Sequence, residues 1–142
     1  MGKALLIAKY VISKCLQDGY PITNQKLQII LYFIQVIAYQ KHNEFAFDEE
    51  IEAWQFGTVV PMVYYEYCNY AGMPILEDYD VNADIEINIR AVIDDVIREY
   101  AKHSAWDLVN IIHTDGSAWN KTYVSYEQRV IPKKLIKEEF IR

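Results

Sequence analysis

Glu50–Tyr67 reads EIEAWQFGTVVPMVYYEY, and its character changes twice along its length. From Glu50 to Phe56, polar residues mix with the strand formers Ile51, Trp54 and Phe56, which predicts a half-buried β-strand. Gly57 ends that pattern, and a glycine there suits a positive φ or a close backbone approach. Val60-Pro61 then opens a helix. The residue before proline is driven to extended backbone, and Pro61 fits a first helical turn because its missing N–H has no intrahelical partner to lose. The helix that follows carries Met62, Val63, Tyr64, Tyr65 and Tyr67. Strand, tight turn and proline-started helix form the joint around which the other helices are expected to pack, with the strand's aromatics and the proline turn building the core there.

Upstream, Lys3 to about Gln17 places Leu5, Ala8, Ile12, Cys15 and Leu16 on one helical face. Asp18-Gly19-Tyr20-Pro21 stops that helix. Thr23 suits the N-cap of a second helix reaching about His42. Leu27, Ile30, Leu31, Ile34 and Ala38 make its stripe, and Ile29, Phe33, Val36 and Ile37 carry apolar character most of the way round. Such a helix is either central and buried or an oligomer surface. Lys26, Gln28 and Gln35 mark its polar side.

Downstream, Ala71-Gly72-Met73-Pro74 breaks the chain. Ile75-Leu76 is expected to add a short strand beside Ile51 to Phe56. Glu77 to Asp84 is acidic, loop-like and the best candidate for a mobile segment. A helix from about Asp84 to Lys102 turns Ile85, Ile89, Val92, Ile93, Val96 and Tyr100 inward, with Glu86–Arg90 and Asp94–Arg98 as i,i+4 pairs. Ser104 with Asp107 resembles a capping box opening a helix to about His113. Thr114 to Ser117 is a turn, and Trp119 to Tyr126 is aromatic but unpatterned. Ile131-Pro132 opens a last short helix, Lys133 to Ile141, with Leu135, Ile136 and Phe140 apolar. The fold class is therefore mainly α, a compact single domain with a small β element near residues 50–56.

The chain has 142 residues, a length of one ordinary domain, and 52% are hydrophobic, enough for a core without staples. Its formal charge is −6, which argues against a phosphate-binding surface and favours a basic partner. Twelve tyrosines suit either hydrogen-bonded core positions or a protein interface. Cys15 and Cys68 both lie in apolar helical contexts and are expected as buried free thiols. The apolar run after Lys3 is broken by Lys9 and Lys14, so it lacks the pattern of a signal peptide. No apolar stretch reaches the ~20 residues of a membrane span. The expected location is the reducing cytoplasm.

The chemistry-bearing residues give no catalytic pattern. His103 and His113 flank one helix, roughly 15 Å apart at 1.5 Å per residue. No HExxH, CxxC or third ligand at metal spacing accompanies them, so no metal and no cofactor is expected. Neither cysteine lies beside a base, Ser117 has no nucleophile elbow, and the five glycines are too scattered for a phosphate loop. The chain is expected not to be an enzyme.

Glu52-Ala53-Trp54, Gly57 and Val59-Val60-Pro61 with a following tyrosine resemble the Panacea domain family, which includes the SocA antitoxin and the GepA-type proteins of prophages and mobile elements. Thr23 with Lys26-Leu27-Gln28 and Leu31-Tyr32-Phe33 is similar to that family's second helix. Ser104-Ala105, Leu108, His113 and Trp119 resemble its later run, and Ile131 with Ile136 to Phe140 its end. The family turn reads Gly-Pro-Val-hydrophobic-Pro; here Thr58 replaces the first proline, which implies a less rigid turn. The resemblance covers nearly the whole chain and implies one domain over residues 1–142.

It also implies a function. The chain would be an antitoxin that binds and neutralises a toxin encoded beside it, in a prophage or mobile element, with a protease unfoldase as a further partner if it works as SocA does. Contact is expected from Tyr64, Tyr65, Tyr67 and Tyr70 and from the acidic loop at Glu77, Asp78 and Asp80. Trp54, Gly57, Val60, Pro61, His113 and Trp119 are expected to act structurally, His113 at its helix end or packed on Trp119. The alternatives are a DNA-binding autoregulator, for which Lys133, Lys134 and Lys137 form the basic cluster, and a phage-associated protein with another binding role.

Overall fold

The computed structural model describes residues 3–139. Phe140 and Ile141, expected in the last helix, lie outside the described residues. Among those described, seven α-helices and a small three-stranded antiparallel sheet share one continuous core.

The first helix, α1 (Lys3–Gln17), and the second, α2 (Asn24–His42), run as the periodicity predicts. The Thr23 hydroxyl accepts from Lys26 N–H at 3.3 Å, and Asn43 closes α2 in the left-handed region at φ 57°. Leu27 through Val36 are all buried, so α2 is the central helix of this fold.

Lys26, Gln28 and Gln35 do not form a wet side. Gln28 and Gln35 are buried, and Lys26 donates to Ala101 O at 2.6 Å. Each is a tether. Gln35 takes Ala46 N–H and Phe47 N–H on its oxygen, at 2.9 and 3.2 Å, and gives its amide to Phe47 O at 2.8 Å. Gln28 accepts from Val60 N–H at 2.9 Å and donates to Asn24, which in turn donates to Tyr64 O at 3.0 Å. Buried amides need partners, and here the partners are the two loops that α2 must hold.

The opening stretch forms a hairpin rather than one strand. β1 (Glu52–Trp54) pairs with β2 (Gly57–Val59) in the register Trp54↔Gly57, leaving Gln55-Phe56 as the tip. Gly57 thus begins a strand instead of ending one. Its φ is 145°, a region that side chains avoid, and a Cβ there would lie 3.5 Å from Ile29. Thr58, standing where the family pattern has proline, lies on an edge strand, a position that tolerates proline. Phe56 is 61% exposed and Trp54 only half-buried, so the hairpin's aromatics do not all enter the core.

The expected partner Ile75-Leu76 is no strand. Ile75 N–H goes to Ile22 O at 2.9 Å, on the turn before α2. The third strand is β3 (Arg129–Val130), paired with β1 on its other edge to give the order β2-β1-β3.

Beyond the hairpin come α3 (Pro61–Glu66), α4 (Ile87–Tyr100), α5 (Ala105–Ile112), α6 (Ala118–Thr122) and α7 (Lys133–Glu138). Pro61 stands in the first turn of α3, as predicted. Ser104 caps α5 by accepting from Asp107 N–H at 3.1 Å. Ser117 caps α6 in the same way, within a stretch whose hydropathy shows no period. In α4 the expected pair Asp94–Arg98 is replaced: Asp94 accepts from the Tyr10 hydroxyl at 2.7 Å, and Arg98 pairs with Asp95, which also holds Lys41. Cys15 is buried as expected. Cys68 is exposed, in a one-turn 3₁₀ segment after α3, because the apolar face of α3 ends before it.

Candidate functional site

The side chains that converge on the hairpin make the candidate site. His113, at the end of α5, lies flat on Trp119 of α6 with ring centroids 3.7 Å apart and planes 10° apart. Trp119 stacks in turn on Tyr123 at 4.7 Å and donates its indole N–H to Trp54 O at 2.7 Å. One buried tryptophan therefore fastens α5 and α6 to β1. Trp54 meets Tyr64 edge-on at 5.0 Å, and Tyr64 meets Tyr65 at 5.6 Å. The aromatic contacts run from the core out to the surface.

Beside them lies a groove of about 610 Å³ between the hairpin, the start of α2 and the segment 123–128. Trp54, Phe56, Tyr64, Tyr123 and Tyr126 supply rings to it, and Gln25, Gln55 and Gln128 supply amides. Among the described residues Glu127 is the charged side chain of the lining; Arg129 Nε lies 3.0 Å from its Oε1. Three rings at or beside the groove stand out into solvent: Phe56, Tyr65 at 59% exposure and Tyr126 with no shielding at all. Tyr126 has φ 67°, a left-handed conformation uncommon for a large side chain.

The expected contact residues fall into two groups. Tyr64 and Tyr65 join the hairpin. Tyr67 is buried and donates its hydroxyl to Tyr79, and burial raises its pKa. Tyr70 donates to Glu77, whose carboxylate pushes the phenol up to about 12. Asp78 accepts from Gln17 at 3.1 Å, and Asp80 is exposed. The acidic loop is not loose. Tyr79 donates its N–H to Ser13, and Lys9 Nζ lies 5.3 Å from its ring. The loop and its tyrosines thus belong to α1, away from the groove.

Phe56, Tyr123, Tyr126 and the groove glutamines escaped sequence reading. Their signal is weak: a phenylalanine just before a glycine, and tyrosines in an aromatic stretch without a period. Two lysines of the basic cluster contact the fold: Lys133 reaches Asp48 O and the Phe45 ring, and Lys137 lies over Tyr39. Among the described residues no group of three His, Cys, Asp or Glu side chains is placed to hold a metal ion, and no helix is long and apolar enough to cross a membrane.

The profile of the antitoxin SocA-like, Panacea domain family matches residues 25–120, more than half of the chain. This chain belongs to that family. The match takes in α2, the hairpin, α3, and the His113–Trp119 stack, and supports a toxin–antitoxin role at family level. No curated protein and no solved structure matches the chain. In this SocA-like chain the wall at 123–128 lies beyond the matched residues.

His113 should give the fold a pH dependence. Its Nε2 is buried without a hydrogen-bond partner among the described residues, and burial lowers its pKa from the ordinary 6.5. A depressed folded-state pKa contributes stability that is present above the unfolded value and is lost as pH falls toward the folded one. The urea midpoint should therefore drop as pH falls below about 6.5, less so in His113→Phe, which keeps a flat ring on Trp119. Identical pH curves for the two proteins would remove His113 as the cause.

Proposed function

We propose that this chain is a toxin-neutralising binding protein and not an enzyme. It captures a toxin encoded beside it, in the cytoplasm of a cell carrying a prophage or other mobile element. The observation that carries this reading is the exposure of Phe56, Tyr65 and Tyr126 around the hairpin groove of an antitoxin-family chain. Large rings give much contact area for little lost side-chain freedom, which is why interfaces gather them. The buried stack beneath holds the hairpin in place, so the face is presented ready-made.

Co-expression with the product of the adjacent open reading frame tests this. The neighbour alone should stop growth, and this chain should restore it through a stable complex. The double variant Phe56→Ser/Tyr126→Ser should lose roughly 2 kcal/mol or more of binding, about thirtyfold in Kd, and fail to rescue. Both residues are exposed, so the variant's melting curve should match the parent's. A harmless neighbour, or rescue without binding, overturns direct neutralisation. The toxin's fate separates masking from delivery to a protease unfoldase: a masked toxin persists in the complex, and a delivered one disappears only when the unfoldase is active.

A further inference from the structure

We infer that the hairpin groove seats an extended segment of the partner around one arginine or lysine side chain, with the cation lying against the aromatic rings and Glu127. The inference deepens the binding role proposed above and rests on it for the identity of the protein that supplies the segment.

The groove has the volume of a cleft that encloses a few side chains, unlike a flat protein face. Its amides suit a peptide. Gln25, Gln55 and Gln128 are all exposed, and a carboxamide both donates and accepts, as a main-chain peptide group does. Gln28 is not available, because it is buried and already holds Val60 N–H and Asn24.

Charge selects the side chain. Among the described residues the lining holds a carboxylate and no lysine, arginine or histidine, in a chain whose formal charge is −6. An anionic ligand finds amide and hydroxyl donors in that lining but no cation to offset its charge. A cation finds Glu127 and the open faces of Tyr126 and Phe56, and cations are attracted to ring faces. The chain itself shows the contact, because Arg129 of β3 already rests on Glu127. Both members of that pair are about half-exposed, at 53% and 49%, so it is a weak surface pair that an incoming guanidinium can replace.

Two short capped peptides test the inference on the full chain by nuclear magnetic resonance. One carries a single arginine between leucine and valine; in its twin, glutamate replaces the arginine. The arginine peptide should shift the Trp54 indole N–H and the Gln55 and Gln128 side-chain amides saturably, leaving the Trp106 indole outside the groove unmoved. The glutamate twin should shift none of them. Glu127→Gln should weaken arginine-peptide binding about tenfold, and Arg129→Gln should strengthen it about threefold, since it removes the internal competitor. Equal shifts with both peptides, no shifts, or the same sign of change in the two variants would overturn the inference. Failure here with intact toxin rescue leaves the antitoxin reading standing, on a flat contact instead. Selective peptide binding without rescue leaves the groove standing and removes the toxin as its partner.

Discussion

Trp119→Ala should lower the unfolding free energy by about 3–5 kcal/mol, the usual range for deleting a buried tryptophan. The side chain is 8% exposed and carries contacts from three elements. Its loss removes the stack on His113, the stack on Tyr123 and the indole hydrogen bond to Trp54 O. The last bond joins residues 65 positions apart, so it ties α6 directly to β1. Native domains are stable by only about 5–15 kcal/mol, so this change takes a large share of the total. For a domain of this size the melting midpoint should fall by about 10 °C. Trp119→Phe keeps a ring in the stack and should cost less. Trp106→Ala is the control: that ring is 70% exposed, and its removal should change stability by under about 0.5 kcal/mol. Urea unfolding followed by circular dichroism measures all three. Equal midpoints for Trp119→Ala and Trp106→Ala would show that the stack does not lock the hairpin.

Gln35→Leu should cost about 3 kcal/mol, although it exchanges one side chain for another of similar size in an apolar setting. The reason lies in the partners left behind. Gln35 is 1% exposed and satisfies Ala46 N–H, Phe47 N–H and Phe47 O, all in the buried turn between α2 and β1. Each backbone group stranded without a partner costs about 1–3 kcal/mol, partly relieved if water enters. The amides of Ala46 and Phe47 should also exchange hydrogen far faster in the variant, while those in the middle of α2 change only with global stability. An unchanged urea midpoint, or unchanged protection at residues 46 and 47, would refute the tether. Hydropathy alone would rank this substitution as harmless or stabilising.

Gln35 also shows where sequence reading stops. Periodicity along α2 locates the helix, and Thr23 its cap, but it leaves a buried centre and an oligomer surface both open. A glutamine in that pattern marks a polar side only if water reaches it, and the loop carrying Ala46 and Phe47 covers the position instead. The hairpin illustrates the same limit. Gly57 was recognised as a special position, but its strand was not, because a two-residue tip between three-residue strands leaves too short a pattern to show a period. β3 offered no signal at all: Arg129 and Val130 are both exposed, and their place in the sheet depends on β1, more than seventy residues earlier. At the candidate site, Tyr64 and Tyr65 were legible from their position after Pro61. Phe56 and Tyr126 were not, since a ring that stands in solvent looks the same in sequence as one in the core.

What the sequence by itself determined is the helical framework apart from α6, the proline-started helix α3, and the family to which the motifs point. The helices follow from forces that act within a few residues, namely caps, backbone limits at proline and the period of an apolar face, whereas the family follows from the resemblance of the motifs alone. Only the tertiary structure decided which amides are buried, which tyrosines face solvent, and that segment 123–128 comes to stand beside the hairpin. Those outcomes depend on partners distant in the chain, and the burial of a side chain is set by whatever element lands on it.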